Sequence, residues 1–229
     1  MYGQNYYANN YLIYFILPLA LALYSNFLIQ KAYREYRRKR SNLGISGYEV
    51  ANLILRNNNI FDIKVVRAKG TLTDHYDSSK KIIALSDEVY SGNSIASISI
   101  AAHEAGHAVQ LAEGYLPLII RHRLVGVTQF ATSISFALIL LGFFVAPSFG
   151  RVGILAYLII FIFQLVTLPV EFNASSRALD ELSKIGANTI DLADSQKMLK
   201  AAALTYVAAT VNSLVELLRL INIFGKRRD

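Results

Sequence analysis

Residues 101–110 read AAHEAGHAVQ, placing His103, Glu104 and His107 within five residues of one another. On an α-helix, positions i and i+4 share a face, so both imidazoles reach one point in space. Imidazole nitrogens at that spacing suit a divalent cation, zinc above all, and a glutamate next to the first of them lies beside the ion's open position. There it can take a proton from water and deliver it to a departing amine, the general acid–base work of peptide-bond hydrolysis. The plainer reading is a pair of hydrogen-bonded histidines on a partly buried helix. Scarcity weighs against it, because this motif holds half of the chain's four histidines. Ala102, Ala105, Gly106 and Ala108 also keep the neighbourhood of the ligand face small. Gly106 costs about 1 kcal/mol of helix propensity relative to alanine, which points to a neighbour that approaches closely.

A third ligand must come from elsewhere. The chain has no cysteine, so the choice is limited to histidine and carboxylate. The metzincin extension would need glycine and histidine where Gln110 and Glu113 stand, and the LDG-type aspartate of site-2 membrane proteases is absent. What remains is a downstream carboxylate. Glu171, in TLPVEFNASSRAL, is the first acidic residue after Glu113. It also suits a helix cap after Pro169, favoured by the N-terminal end of the helix dipole, and the two roles are compatible. His75 and Tyr76, in LTDHYD, sit on a polar loop and are candidate donors to a developing oxyanion. The alternative there is a hairpin turn in which Asp74 and Asp77 bond their own backbone. His122 reads as an interfacial residue, and Arg177 as a salt-bridge partner, with binding of substrate or phospholipid as the alternative.

The elements that position these residues follow from hydropathy. The composition is 54% hydrophobic and only 17% charged, with a mean hydropathy of +0.36. Three apolar stretches, 11–30, 129–147 and 151–170, each approach the length a helix needs to cross a bilayer, and within them Tyr11–Ile29, Phe130–Ala146 and Val152–Val170 carry no charge. The leader, 1–10, has no basic residue, whereas Lys31, Arg34, Arg37, Arg38, Lys39 and Arg40 follow the first stretch. The positive-inside bias therefore puts the N-terminus outside and residue 31 onward in the cytoplasm, with Tyr6, Tyr7 and Tyr11 in the interfacial belt. The net charge of +7 clusters at membrane flanks, a pattern that fits topology and anionic lipid rather than nucleic acid.

Residues 31–125 form the expected cytoplasmic module. Ser46 and Glu49 make a capping box for a helix from about Gly47 to Arg56, ended by Asn57–Asn59. Strands are expected at 63–68, whose edge could receive an extended peptide, and at 81–85, with a turn-rich segment between them. The histidine-bearing helix should run from about Ser94 to Ala112 and stop at Gly114. Spans 129–147 and 151–170 make a tight hairpin, returning segment 171–200, and with it Glu171, to the side of Glu104. In 201–229, an apolar helix with Asn212, Glu216 and Arg219 precedes a basic tail. A fourth crossing and a helix packed on the bundle are equal alternatives there.

AAHEAGHAVQ, LTDHYD, TLPVEFNASSRAL and AALTYVAA together resemble the YugP-like membrane zinc metallopeptidases of bacteria and archaea, the neutral zinc metallopeptidase family. The resemblance runs from Gly47 to the end of the chain and implies a gluzincin-like endopeptidase. It implies one Zn2+ per chain on His103, His107 and Glu171, with Glu104 as catalytic base. The wider gluzincin group has an E-x-x-x-D pattern whose aspartate orients a ligating histidine. Ser175 stands at that place here, with Asn173 and Asp180 as alternatives for the orienting role. The expected fold is α+β and mostly helical: a transmembrane helical bundle with a small cytoplasmic zincin-like module carrying the HExxH helix. The expected partners are the lipid bilayer and membrane protein or peptide substrates, with no nucleic acid. The setting is the prokaryotic plasma membrane, with the site facing the cytoplasm. The rival reading is a non-catalytic membrane protein with a structural or sensory zinc site.

Overall fold

The computed structural model describes residues 2–225, with side chains from Ile13 onward. The expected belt at Tyr6, Tyr7 and Tyr11 and the tail Lys226–Arg228 lie outside the described side chains. The order of elements is α1 (Tyr2–Tyr36), α2 (Gly47–Asn57), β1 (Lys64–Ala68), β2 (His75–Asp77), β3 (Ile82–Ser86), α3 (Asp87–Ser91), α4 (Ile95–Ala112), α5 (Leu116–Phe144), α6 (Pro147–Lys184) and α7 (Thr189–Phe224). The chain is mostly helical with one small sheet. It divides into two compact units, each built from separate stretches of sequence.

One unit comprises residues up to 26, 119–169 and 205 onward. It holds the apolar stretches of α1, α5, α6 and α7, four helices long and apolar enough to cross a membrane. Their outward faces are greasy: Phe130, Phe136 and Phe144 are 65%, 68% and 83% exposed, a surface that water would penalise and hydrocarbon would not. Close helix contact inside this unit rests on glycine. A Cβ on Gly142 would stand 2.6 Å from the Gly150 backbone, and one on Gly150 would stand 2.4 Å from the Phe224 ring. The charges that made 201–224 ambiguous neutralise each other, since Arg219 donates twice to Glu216, at 2.8 and 2.5 Å. The Arg219 guanidinium also lies 5.0 Å from the centre of the Phe15 ring. Pairing of this kind lowers the cost of placing ionisable groups in an apolar surrounding.

The other unit comprises Phe27–Leu118 and Val170–Leu204. Its helix α2 begins with the expected capping box, Ser46 accepting from Glu49 N–H while the Glu49 carboxylate accepts from Ser46 N–H. It ends at Asn57 and is capped by Asn58, followed by Asn59 in the left-handed conformation at φ 57°. The sheet has the order β1-β3-β2, with β1 parallel to β3 (Val66 opposite Ala84) and β2 antiparallel to it (Tyr76 opposite Ile83). The turn-rich segment before residue 81 thus contains a strand. Three residues, two of them polar, carry no period-two signal, and pairing with the buried β3 supplies what the local sequence lacks. The turn into β3 is built by Asp77, whose Oδ1 accepts from Ser79 and Lys80 N–H, each at 3.0 Å.

The core of this unit joins Val50 and Ile54 of α2, Ile83 and Leu85 of β3, Ile95, Ile98, Ala101 and Ala105 of α4, Leu182 of α6 and Met198 of α7. α6 passes through Pro169 without a break, so Glu171 lies inside a helix rather than at its cap. Asp191, in the first turn of α7, accepts from Ser41 Oγ at 2.6 Å and Asn42 N–H at 2.7 Å, tying α7 to the loop after α1.

Candidate metal centre

Helix α4 starts at Ser94, whose Oγ accepts from Ser97 N–H at 3.1 Å, and ends before Gly114, which has φ 69°. Small residues dominate its buried surface and let other elements approach. Gly106 is the clearest case, because a Cβ there would stand 2.9 Å from the Ala174 carbonyl oxygen of α6. That close approach brings Glu171, one turn before Ala174, up to the two histidines of α4.

Glu171 Oε2 lies 3.2 Å from His103 Nε2 and 3.6 Å from His107 Nε2, and the candidate donor atoms of the three residues all lie within 4.8 Å of one another. The two imidazole rings stand nearly perpendicular with centroids 4.8 Å apart. The side chain of Glu171 is 2% exposed, and those of His103 and His107 are 13% and 9% exposed. The donor set fits a metal ion. Zinc holds nitrogen and oxygen ligands at about 2.0–2.2 Å in a tetrahedron, which puts neighbouring ligand atoms about 3.4 Å apart. The two Glu171 separations bracket that value. Burial alone would lower the His107 pKa, but the Glu171 carboxylate, the nearby Glu104 charge and the Gln110 amide outweigh it and hold it above the ordinary imidazole value. The pocket thus already favours positive charge, as a cation site should.

A hydrogen-bond chain, buried at its inner end, backs the histidines. His107 Nδ1 is 3.0 Å from Gln110 Oε1. Gln110 Nε2 donates to the Val170 carbonyl and to Asn173 Oδ1, both at 2.9 Å. Asn173 Oδ1 also accepts from Arg177 Nε at 2.7 Å, and Arg177 pairs with Glu113 at 2.6 Å. His103 Nδ1 lies 3.3 Å from Ser175 Oγ. Of the three residues considered for orienting a histidine, Ser175 therefore touches His103, and Asn173 reaches His107 through Gln110. Asp180 is exposed and has no hydrogen bond to either histidine. Gln110 enters the sequence argument only as a mismatch to another motif. The signal that finds it is the single amide of α4, one turn past His107.

Glu104 is buried on the flank of α4, next to the ligand face. Toward the same flank lies β2. Asp74, just before that strand, accepts from Ser86 N–H at 2.7 Å and is close enough to Glu104 to feel its charge. Burial pushes the Asp74 carboxyl up, the Ser86 amide and hydroxyl pull it back, and the Glu104 charge adds to the rise. His75 is exposed on β2, its Nδ1 2.8 Å from the Thr73 carbonyl oxygen. Tyr76 points to the opposite face and lines a cavity of about 240 Å³ with Ile60, Ile63, Ala108, Leu111 and Ala112. The structure thus brings His103, His107 and Glu171 together and leaves His75 and Tyr76 on opposite faces of a neighbouring strand.

A long helical chain with four apolar helices and a buried His–His–Glu cluster is a membrane protein with a candidate metal centre. The chain belongs to the family described as "Putative neutral zinc metallopeptidase", whose model matches residues 11–225. It is 41% identical over 217 residues to the "Putative membrane protease YugP" of Bacillus subtilis (strain 168), an alignment covering 93% of this chain and 96% of that protein. No solved structure matches it.

Proposed function

We propose that this chain is a membrane-anchored, gluzincin-like zinc endopeptidase. His103, His107 and Glu171 hold one zinc per chain, and Glu104 of the HExxH helix is the catalytic base. The observation that carries this reading is the position of Glu171 Oε2, 3.2 and 3.6 Å from two histidine nitrogens that lie more than sixty residues earlier in the chain. When bound, zinc supplies the Lewis acidity that polarises a peptide carbonyl and lowers the pKa of water. The chain's own groups do the rest. Glu104 receives the proton of the attacking water and passes it to the leaving amine. The histidines and Glu171 would ligate in their deprotonated forms, so the ion takes the place of the proton that the Glu171 carboxylate favours on His107. His75, exposed on β2 beside α4, is the candidate donor toward the carbonyl oxygen as negative charge develops; Tyr76, turned toward the cavity, is the weaker one.

Substrates in this reading are membrane-associated proteins or peptides cut at the cytoplasmic surface of the plasma membrane. The support is the cluster of basic residues after the first apolar stretch. In chain order, Glu171 also follows the apolar part of α6 by only two residues. The soluble unit serves as a zincin-like module, with α4 as the metal helix and the small sheet beside it.

The decisive comparison is wild type against Glu104→Gln in detergent, measuring zinc per chain and hydrolysis of unstructured peptides. Zinc retained near one per chain with hydrolysis abolished supports the enzyme. Zinc retained with no hydrolysis by either protein supports a structural or sensory site instead. Because the chain has no cysteine, a single Lys69→Cys label tests the facing of the module. Labelling from the cytoplasmic side alone is expected, and labelling from outside would refute the topology.

A further inference from the structure

The hydrogen bonds around Gln110 have a direction, and it is imposed from two sides. Arginine can only donate, so Arg177 Nε, 2.7 Å from Asn173 Oδ1, identifies that atom as the acceptor. A backbone carbonyl can only accept, so the Gln110 atom 2.9 Å from the Val170 oxygen is the amide nitrogen. The same nitrogen donates to Asn173 Oδ1 at 2.9 Å, in agreement with both ends. Gln110 is fully buried, and with its nitrogen committed its oxygen is the atom left facing His107 Nδ1 at 3.0 Å. An amide oxygen cannot donate. His107 Nδ1 therefore carries the hydrogen, and in the neutral ring Nε2, 3.6 Å from Glu171 Oε2, is the unprotonated nitrogen that can bind a cation shared with that carboxylate.

His103 is held differently. Its outer partner, Ser175 Oγ at 3.3 Å, is a hydroxyl that can either donate or accept and so dictates no tautomer. On the side away from Glu171 the two histidines are thus unequal: the partner of His107 can only accept, and that of His103 can do either.

We propose that Gln110 is a positioning residue that locks His107 as the Nδ1–H tautomer, with Nε2 as the metal-binding atom. Through the Val170 carbonyl, next to Glu171, it also fixes the register of α4 against α6. The inference rests on the metal-site reading above and deepens it. Outer partners of metal-bound histidines typically govern affinity by 10–100-fold. The hydroxyl at Ser175 carries less of that control here than the amide at Gln110.

The test uses the full chain in detergent, with zinc as the probe. Dissociation constants are measured by chelator competition for wild type, Gln110→Met and Ser175→Ala, alongside 15N spectra of the histidine rings in the zinc-loaded proteins. Methionine keeps the volume of glutamine and removes its hydrogen bonds. Gln110→Met should bind zinc about 10–100-fold more weakly and lose the slowly exchanging His107 Nδ1–H signal, while Ser175→Ala should change affinity less. Wild-type affinity together with an unchanged ring signal in Gln110→Met would overturn the proposal. So would a wild-type His107 that binds zinc through Nδ1, and that result stands even if the variant fails to fold. A wild type that binds no zinc refutes the metal site itself, an outcome distinct from a wild type that binds and a variant that is indifferent.

Discussion

Replacing Gly106 with alanine should damage the candidate metal centre without touching a ligand. The added Cβ would stand 2.9 Å from the Ala174 carbonyl oxygen, 0.5 Å short of the 3.4 Å at which ordinary contact begins. The obstacle is backbone inside a helix, so no side-chain rotation relieves it, and α4 and α6 must move apart at this level. Glu171, His103 and Ser175 lie within one turn of the contact, on either side of that gap. Metal–ligand bonds tolerate displacements of about 0.2 Å, so a shift of half an ångström is enough to spoil a three-ligand set. Two stability terms oppose each other. Alanine gains about 1 kcal/mol of helix propensity over glycine, and overpacking a tight contact costs about 1–3 kcal/mol. The expected net effect is a destabilisation of up to about 2 kcal/mol, accompanied by a zinc affinity that falls by more than that figure alone would suggest. Thermal melts of the metal-free protein and chelator competition for zinc separate the two effects. A Gly106→Ala protein that melts higher than wild type and holds zinc with unchanged affinity would refute the argument that this glycine sets the spacing of the two helices.

Other outcomes follow from the same geometry. Glu171→Ala should leave two histidines as the remaining donors of the cluster and weaken zinc binding on the order of 100-fold or more, read by elemental analysis after dialysis. Gly47→Ala should be strongly destabilising, by about 3 kcal/mol or more, because its Cβ would meet the Val89 carbonyl oxygen at 2.4 Å; a thermal melt reports it. Hydrogen bonding to Arg177 holds the Glu113 carboxyl below its usual value near 4.5. A depressed acid pKa stabilises the fold above the unfolded value, and that contribution is lost as pH falls through the folded one. Glu113→Gln should therefore cost under about 1 kcal/mol at pH 7, the Glu113 side chain being half exposed, and the difference between the two proteins should vanish in melts well below pH 4.

The parts of this protein that depend on short-range spacing were legible in the chain itself. The i and i+4 histidines define a ligand face whatever surrounds them, and long runs of uncharged apolar residues announce helices because only a helix satisfies its backbone within a single segment in hydrocarbon. Ser46 with Glu49, Ser94 and the Asn57–Asn59 stop are local hydrogen-bond devices, so α2 and α4 begin and end close to where their residues predict. Glu171 was within reach of sequence reasoning only as the next carboxylate along the chain.

Its arrival at the histidines is a tertiary event, fixed by the contact of Gly106 with Ala174 and by the passage of α6 through Pro169 as one helix. β2 also belongs to the tertiary structure, since HYD has no strand signal apart from its pairing with β3. Gln110 shows the division most sharply. The sequence presents a single amide in α4, and nothing local says which of its atoms faces which neighbour. Only with α6 packed against α4 do a carbonyl that must accept and a guanidinium that must donate fix its orientation, and through it the histidine. Residue types set what chemistry is available, and long-range packing sets the directions in which that chemistry points.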